Sequence, residues 1–119
     1  ISAMGQDPDG NGWRIGLAET SDQSPDEFVV LSDNSIATSA PLGSTFDGKT
    51  SHIIDPLSGQ PVQSHWQRVS VIHKSAAYAD GLSTGMVMMN HASVAAIELS
   101  EHTQIIVRAQ DGRTTRMGL

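Results

Sequence analysis

The chain contains no cysteine. Disulfides, thiolate nucleophiles and zinc–thiolate centres are thereby excluded, and the redox compartment is left undecided. Aromatic residues make up only 4%, so aliphatic and methionine packing must carry the core. Positive charge is scarce: seven Lys and Arg face thirteen Asp and Glu, for a formal net charge of −6. Nothing here would displace counterions from a nucleic-acid backbone at scale, so no nucleic-acid partner is expected. A small phosphorylated ligand is still compatible, because a bound cation supplies the charge that the side chains lack. No apolar run approaches the roughly 18 residues that a membrane-spanning helix needs. The first residue is Ile1 rather than an initiator methionine, and no charged n-region or cleavable apolar segment follows it. The expectation is a fragment or a processed product.

What remains is ordinary globular material. The 119 residues, 38% hydrophobic and 17% charged, suit one domain, residues 1–119, with a modest core. The turn-rich run Gln6 to Gly12 precedes a strand expected over Trp13 to Ala18. A polar loop from Glu19 to Asp26 leads to a second strand at Phe28 to Leu31, and Ser35 to Ser39 is a third. Asp47-Gly48 predicts a tight hairpin turn, with a strand over Ser51 to Ile54 that Pro56 ends. Val69 to Ile72 alternates as a half-buried strand. A helix starts near Ser75, whose hydroxyl can accept from a first-turn amide, with Ala79, Leu82, Met86 and Met89 at helical spacing. A second helix is expected over Ala92 to Ser100, then a strand at Gln104 to Arg108, a turn at Asp111-Gly112 and a return strand to Met117. Strands, two helices, then strands make an α+β fold with a mixed or antiparallel sheet.

Three clusters carry possible chemistry. Asp80 and Thr84 stand at i and i+4, so a carboxylate and a hydroxyl share one helix face. Both are hard oxygen ligands suited to Mg²⁺, whose octahedron substrate phosphates often complete. The same spacing also arises by chance in many helices. Gly81 and Gly85 interleave with the pair; each costs about 1 kcal/mol of helix stability against alanine, which points to close packing or a site. His52 sits before the terminating Asp55-Pro56 pair and suits proton transfer, since imidazole titrates near neutral pH; equally, it suits a hydrogen bond within a turn. Thr38 and Ser39 offer small hydroxyls on a strand, for a cofactor or for local hydrogen bonds. His65, His73, His91 and His102 lack ligand spacing and read as surface or loop residues. Met86, Met88 and Met89 read as core filler.

Three segments in order resemble one family, the FAD:protein FMN transferases or ApbE family. The family block S-H-I-I-D-P-x-T/S-G-x-P-V stands here as Ser51-His52-Ile53-Ile54-Asp55-Pro56-Leu57-Ser58-Gly59-Gln60-Pro61-Val62. Upstream, Leu31 to Ala40 is similar to L-S-x-x-A-V-A-T-S-G, and downstream Ala79-Asp80-Gly81-Leu82-Ser83-Thr84-Gly85 is similar to A-D-A-L-A-T-A. The opening, Ile1 to Gly16, resembles the family's linker into P-W-R-I-G-I, so the match runs through nearly all 119 residues. Two features depart from the pattern: Ala40-Pro41-Leu42-Gly43 replaces G-D/S-Y, and Gly81 and Gly85 replace alanines.

The resemblance implies an ApbE-like domain seen as its C-terminal portion, with an N-terminal half that would supply most of the flavin pocket and a further metal ligand. It implies an enzyme that uses FAD and Mg²⁺, passes FMN to a threonine hydroxyl of an acceptor protein and releases AMP. Asp80 and Thr84 match metal ligands, Ile54 a position that contacts FAD, and His52 the candidate base. The implied location is the outer, periplasmic face of a bacterial cytoplasmic membrane, lipid-anchored through the absent N-terminus. The alternative reading is a non-catalytic flavin-binding or delivery module of a membrane redox complex. A blander one is an interaction domain that uses its sheet edges alone.

Overall fold

The computed structural model describes residues 1–20 and 22–118. Nine elements follow in order: β1 (Ser2–Ala3), β2 (Trp13–Leu17), β3 (Glu27–Leu31), β4 (Asn34–Ser39), β5 (Trp66–His73), α1 (Ala76–Met86), α2 (His91–Ala95), β6 (Gln104–Ala109) and β7 (Thr114–Met117). Five strands form an antiparallel sheet in the order β1-β4-β5-β6-β7, and β2 pairs with β3 as a separate ribbon. The α+β expectation holds, with every strand pairing antiparallel among the described residues.

The layers follow from alternation along the strands. Val69 and Val71 of β5 and Ile105 and Val107 of β6 face Ala79 and Met86 of α1. The residues between them, Ile72 and Ile106, face the ribbon and pack on Leu17, Val29 and Leu31. The central sheet is thus covered on one face by the helices and on the other by the ribbon. One irregularity matters later. The β5–β6 register shifts between Trp66 and Arg68, so Trp66 joins the helix-side core although alternation from Val69 would turn it to the ribbon side. A bulge of this kind re-aims a side chain at a strand end.

Helix α1 is held at both ends. Ser75 caps it as expected, its side chain accepting from the Tyr78 amide. At its other end the Gly85 and Met86 carbonyls accept from the Met88 and Met89 amides, and the residues that follow are tied to β5 and the segment before it by bonds from Ser64 to the Val87 carbonyl and from the Trp66 indole to the Met89 carbonyl.

Several expectations change. Val69 to Ile72 is buried on both faces rather than half-buried, because helices cover one face of β5 and the ribbon the other. The hairpin at Asp47-Gly48 and the strand Ser51 to Ile54 do not form; residues 40–65 are irregular, with one isolated bridge between Ile54 and Pro61. Gly48 does take the positive φ of +71°, but the amides of Lys49 and Thr50 turn inward onto the Asp47 carboxylate and the Ile53 amide onto the Ser51 hydroxyl. Groups spent on local side chains are unavailable to a ladder. The second helix is His91–Ala95, not Ala92 to Ser100. Asn90 caps it by accepting from the Ser93 amide, and Val94 is its one buried residue, too little apolar face to carry a longer helix. Met89 lies beyond the end of α1, and Met88 is exposed while Met86 is buried. The edge strand β1 gave no pattern to read, being two residues long. Finally, a Cβ on Gly81 or Gly85 would meet nothing within 4 Å, so these glycines leave open space instead of admitting a neighbour.

Candidate functional site

A cleft of about 810 Å³ opens where β2 and β4 end and α1 crosses the sheet. The chain enters it five times: at the end of β2 and just beyond (Gly16, Ala18, Glu19, Thr20), at the end of β4 (Thr38 to Ala40), shortly after it (Gly43, Ser44), further along the irregular segment (His52 to Ile54) and on α1 (Asp80, Thr84). All six residues singled out from the sequence, Thr38, Ser39, His52, Ile54, Asp80 and Thr84, therefore line one cavity. A smaller recess of about 370 Å³ adjoins it and shares Gly16, Ala18, Thr38 and Asp80. Asp80 stands at the boundary of the two. A separate cavity of about 490 Å³ between α2, β6 and β7 contains none of the six.

Side-chain hydroxyls connect β4 to α1. The Ser39 hydroxyl lies 2.9 Å from that of Ser83 and 3.1 Å from that of Thr84, and Ser83 donates to the Asp80 carbonyl at 3.0 Å. Each hydroxyl has one proton. Ser83 uses its proton on a carbonyl, which can only accept, so Ser39 must donate to Ser83, and Thr84 must then donate to Ser39. The Thr84 oxygen consequently reaches the cleft as an acceptor with its lone pairs free. Thr38 behaves differently: its hydroxyl pairs with that of Ser70 at 2.8 Å, on the ribbon side of the sheet.

The cleft presents a donor set of hard oxygens. It offers one exposed carboxylate on Asp80 and one hydroxyl whose proton points away, both hard oxygens one helical turn apart on α1. Mg²⁺ is typically held by one or two carboxylates plus substrate phosphates, and the set fits that pattern. It is not a cage, for among the described residues no three His, Cys, Asp or Glu side chains gather to hold a metal. The described lining includes no lysine or arginine.

His52 is exposed at the cleft mouth, with Nδ1 3.2 Å from the Pro41 carbonyl. A carbonyl has no proton to give, so Nδ1 carries the ring proton and Nε2 of the neutral imidazole offers its lone pair. The two sequence alternatives for His52 coexist, since the turn bond fixes the ring and leaves the other nitrogen available. Ile54 is 50% exposed, an apolar side chain held out by the bridge to Pro61. Gly43 closes this side of the cleft. A Cβ there would stand 2.9 Å from the Glu19 carbonyl, so only glycine lets the residues after β4 lie against those after β2.

The turn before His52 is built on Asp47. Bonds from the Thr50 hydroxyl and then from the Thr50 and Lys49 amides hold its carboxyl down from 3.8 to about 2. A depressed carboxylate contributes order above its ordinary value, and the contribution fades only as pH falls through the folded value. The turn should therefore stay closed when the pH is lowered to 3. A carbon-detected NMR titration of Asp47 checks this; a midpoint near 3.8, with Thr50 exchanging freely, is the contrary result.

Sequence reasoning missed Glu19, Thr20 and Ser83. Glu19 and Thr20 read as part of a polar loop and Ser83 as an unremarked helix position, and no spacing pattern distinguishes them.

The profile of the ApbE family matches residues 1–107. The chain belongs to that family. Among its relatives, the FAD:protein FMN transferase of Vibrio cholerae is 35% identical across 94% of this chain and 36% of its own length. The crystal structure of Pseudomonas stutzeri flavinyl transferase ApbE in its apo form superposes with a TM-score of 0.69 at 34% identity, over 97% of this chain and 35% of that one. The ApbE protein of Thermotoga maritima shares the fold with a TM-score of 0.76 at 24% identity, over 94% of this chain and 38% of its own. This ApbE-family chain thus spans about a third of the length of the relatives it matches.

Proposed function

We propose that this chain forms the metal-bearing side of a flavin transferase that moves FMN from FAD to a threonine hydroxyl of an acceptor protein. The observation that carries the reading is the convergence of Thr38, Ser39, His52, Ile54, Asp80 and Thr84, from three separate parts of the chain, on one cleft whose described lining has no lysine or arginine. Family membership and the flavin transfer that the relatives are named for suggest the substrate.

Electrostatics supports the cation. A diphosphate entering a cleft whose described lining bears Asp80 and no lysine or arginine meets repulsion unless a divalent ion accompanies it, the Glu19 carboxylate being already paired with Arg68 and Arg108. Asp80 and Thr84 would hold that ion, and bound there it would neutralise charge on the diphosphate. The position of Asp80 between two recesses also suits a dinucleotide, whose two halves diverge from its phosphates.

The remaining work falls to this chain's own residues. Ser39 and Ser83 orient the Thr84 oxygen, and the Pro41 carbonyl orients His52. Nε2 of His52 takes the proton of the acceptor threonine as its oxygen bonds to the flavin-side phosphorus. The bond from that phosphorus to the bridging oxygen breaks, and AMP leaves with the oxygen. Positioning and charge neutralisation dominate such transfers. The test is to combine the full-length protein with FAD, Mg²⁺ and a threonine-bearing acceptor. Covalent flavin on the acceptor together with released AMP is expected; FAD left intact after prolonged incubation defeats the reading.

A further inference from the structure

Past the bulge at the start of β5, regular alternation from Val69 turns an arginine to the ribbon side of the sheet. Arg68 is fully buried, 0% exposed, between the central sheet and the ribbon. Its guanidinium contacts three carboxylates: Glu19 at 3.3 Å, Asp26 at 3.2 Å and Glu27 at 2.9 Å. Glu19 lines the cleft, whereas Asp26 and Glu27 stand at the other end of the connection from β2 to β3. One side chain therefore ties both ends of that connection to the sheet. Arg108 reinforces it, with 2.7 Å to Asp26 and 3.7 Å to Glu19, and Arg116 reaches Glu27 at 2.7 Å. Three cations and three anions balance.

We propose that Arg68 is a positioning residue for the Ala18–Thr20 wall of the cleft. Burying the Arg68 guanidinium is a poor way to gain stability, because its desolvation cancels most of the attraction to carboxylates that are themselves partly exposed, and an apolar side chain would fill the space at lower cost. What the network supplies is geometry. It also answers the charge problem at Glu19, whose carboxylate would otherwise face an anionic ligand unneutralised. Glu19 Oε1 is buried and makes no aligned hydrogen bond, so its placement depends on the two guanidinium charges. Loss of the clamp frees both the position of the wall and the negative charge on it.

The proposal rests on the reading that the cleft takes FAD, and the test separates the two. Asp26→Asn in the full-length protein removes a shared partner of Arg68 and Arg108 without touching the cleft lining, and Arg68→Lys keeps the charge but not the fork. Binding of FAD with Mg²⁺, followed by flavin fluorescence, is expected to weaken by roughly tenfold to a hundredfold in both. KM for FAD should rise with kcat little changed, and amide exchange at residues 18–20 should quicken while α1 keeps its protection. Wild-type affinity and unchanged exchange in a folded Asp26→Asn protein would overturn the proposal. If the wild type itself fails to bind FAD, the functional reading falls, and exchange at residues 18–20 alone decides whether Arg68 holds the wall.

Discussion

Asp80→Ala in the full-length protein is expected to lower flavin transfer by about 10³-fold, the scale of several kcal/mol of transition-state charge stabilisation. The loss should be this large because the described cleft lining has no lysine or arginine to take over. Thr84 alone cannot compensate, since a hydroxyl carries no charge. The signature to measure is AMP release as Mg²⁺ is raised. Asp80→Ala should need far more Mg²⁺ than wild type and still fall short at saturation, while Asp80→Asn, which keeps an oxygen, should retain more. Chelation of the wild-type enzyme should reproduce the defect. An Asp80→Ala protein that responds to Mg²⁺ as the wild type does would show that the cation is held elsewhere.

His52→Ala should reduce transfer to the acceptor by roughly 10²- to 10⁴-fold, the usual contribution of a positioned general base. Its effect should be confined to that step. His52 is at the cleft mouth and bonded only to the Pro41 carbonyl, so FAD affinity and its Mg²⁺ dependence should stay at wild-type values. This separates it from Asp80→Ala, which should disturb both. Added imidazole should restore part of the transfer, because the missing group is a small base in an accessible place. Equal rates for His52→Ala and wild type at saturating acceptor would remove His52 from the proton's path.

Six residues of the candidate cleft were legible in the sequence because they are concentrated in short blocks. Asp80 and Thr84 are one turn apart on a capped helix, so local periodicity alone puts them on one face. His52 and Ile54 sit inside a long family block. Where the reading failed, long-range or side-chain competition was at work. Asp47-Gly48 signalled a hairpin, but the carboxylate captured the amides that a second strand would have needed. The second helix stopped after His91–Ala95 because Val94 is its only buried anchor. Ser83 looked inert, although its hydroxyl sets the direction of the bonds that end at Thr84.

By itself the sequence determined the class of fold, the start of α1 at its serine cap and the pairing of a carboxylate with a hydroxyl on that helix. All of these depend on residues within a few positions of one another, where backbone geometry fixes who is neighbour to whom. The tertiary structure alone decided that β2, β4, the His52 segment and α1 share a cleft, that the described lining of this cleft has no lysine or arginine, and that Arg68 reaches Glu19. Those facts join positions tens of residues apart, and they exist only once burial of the two apolar cores has brought the layers together.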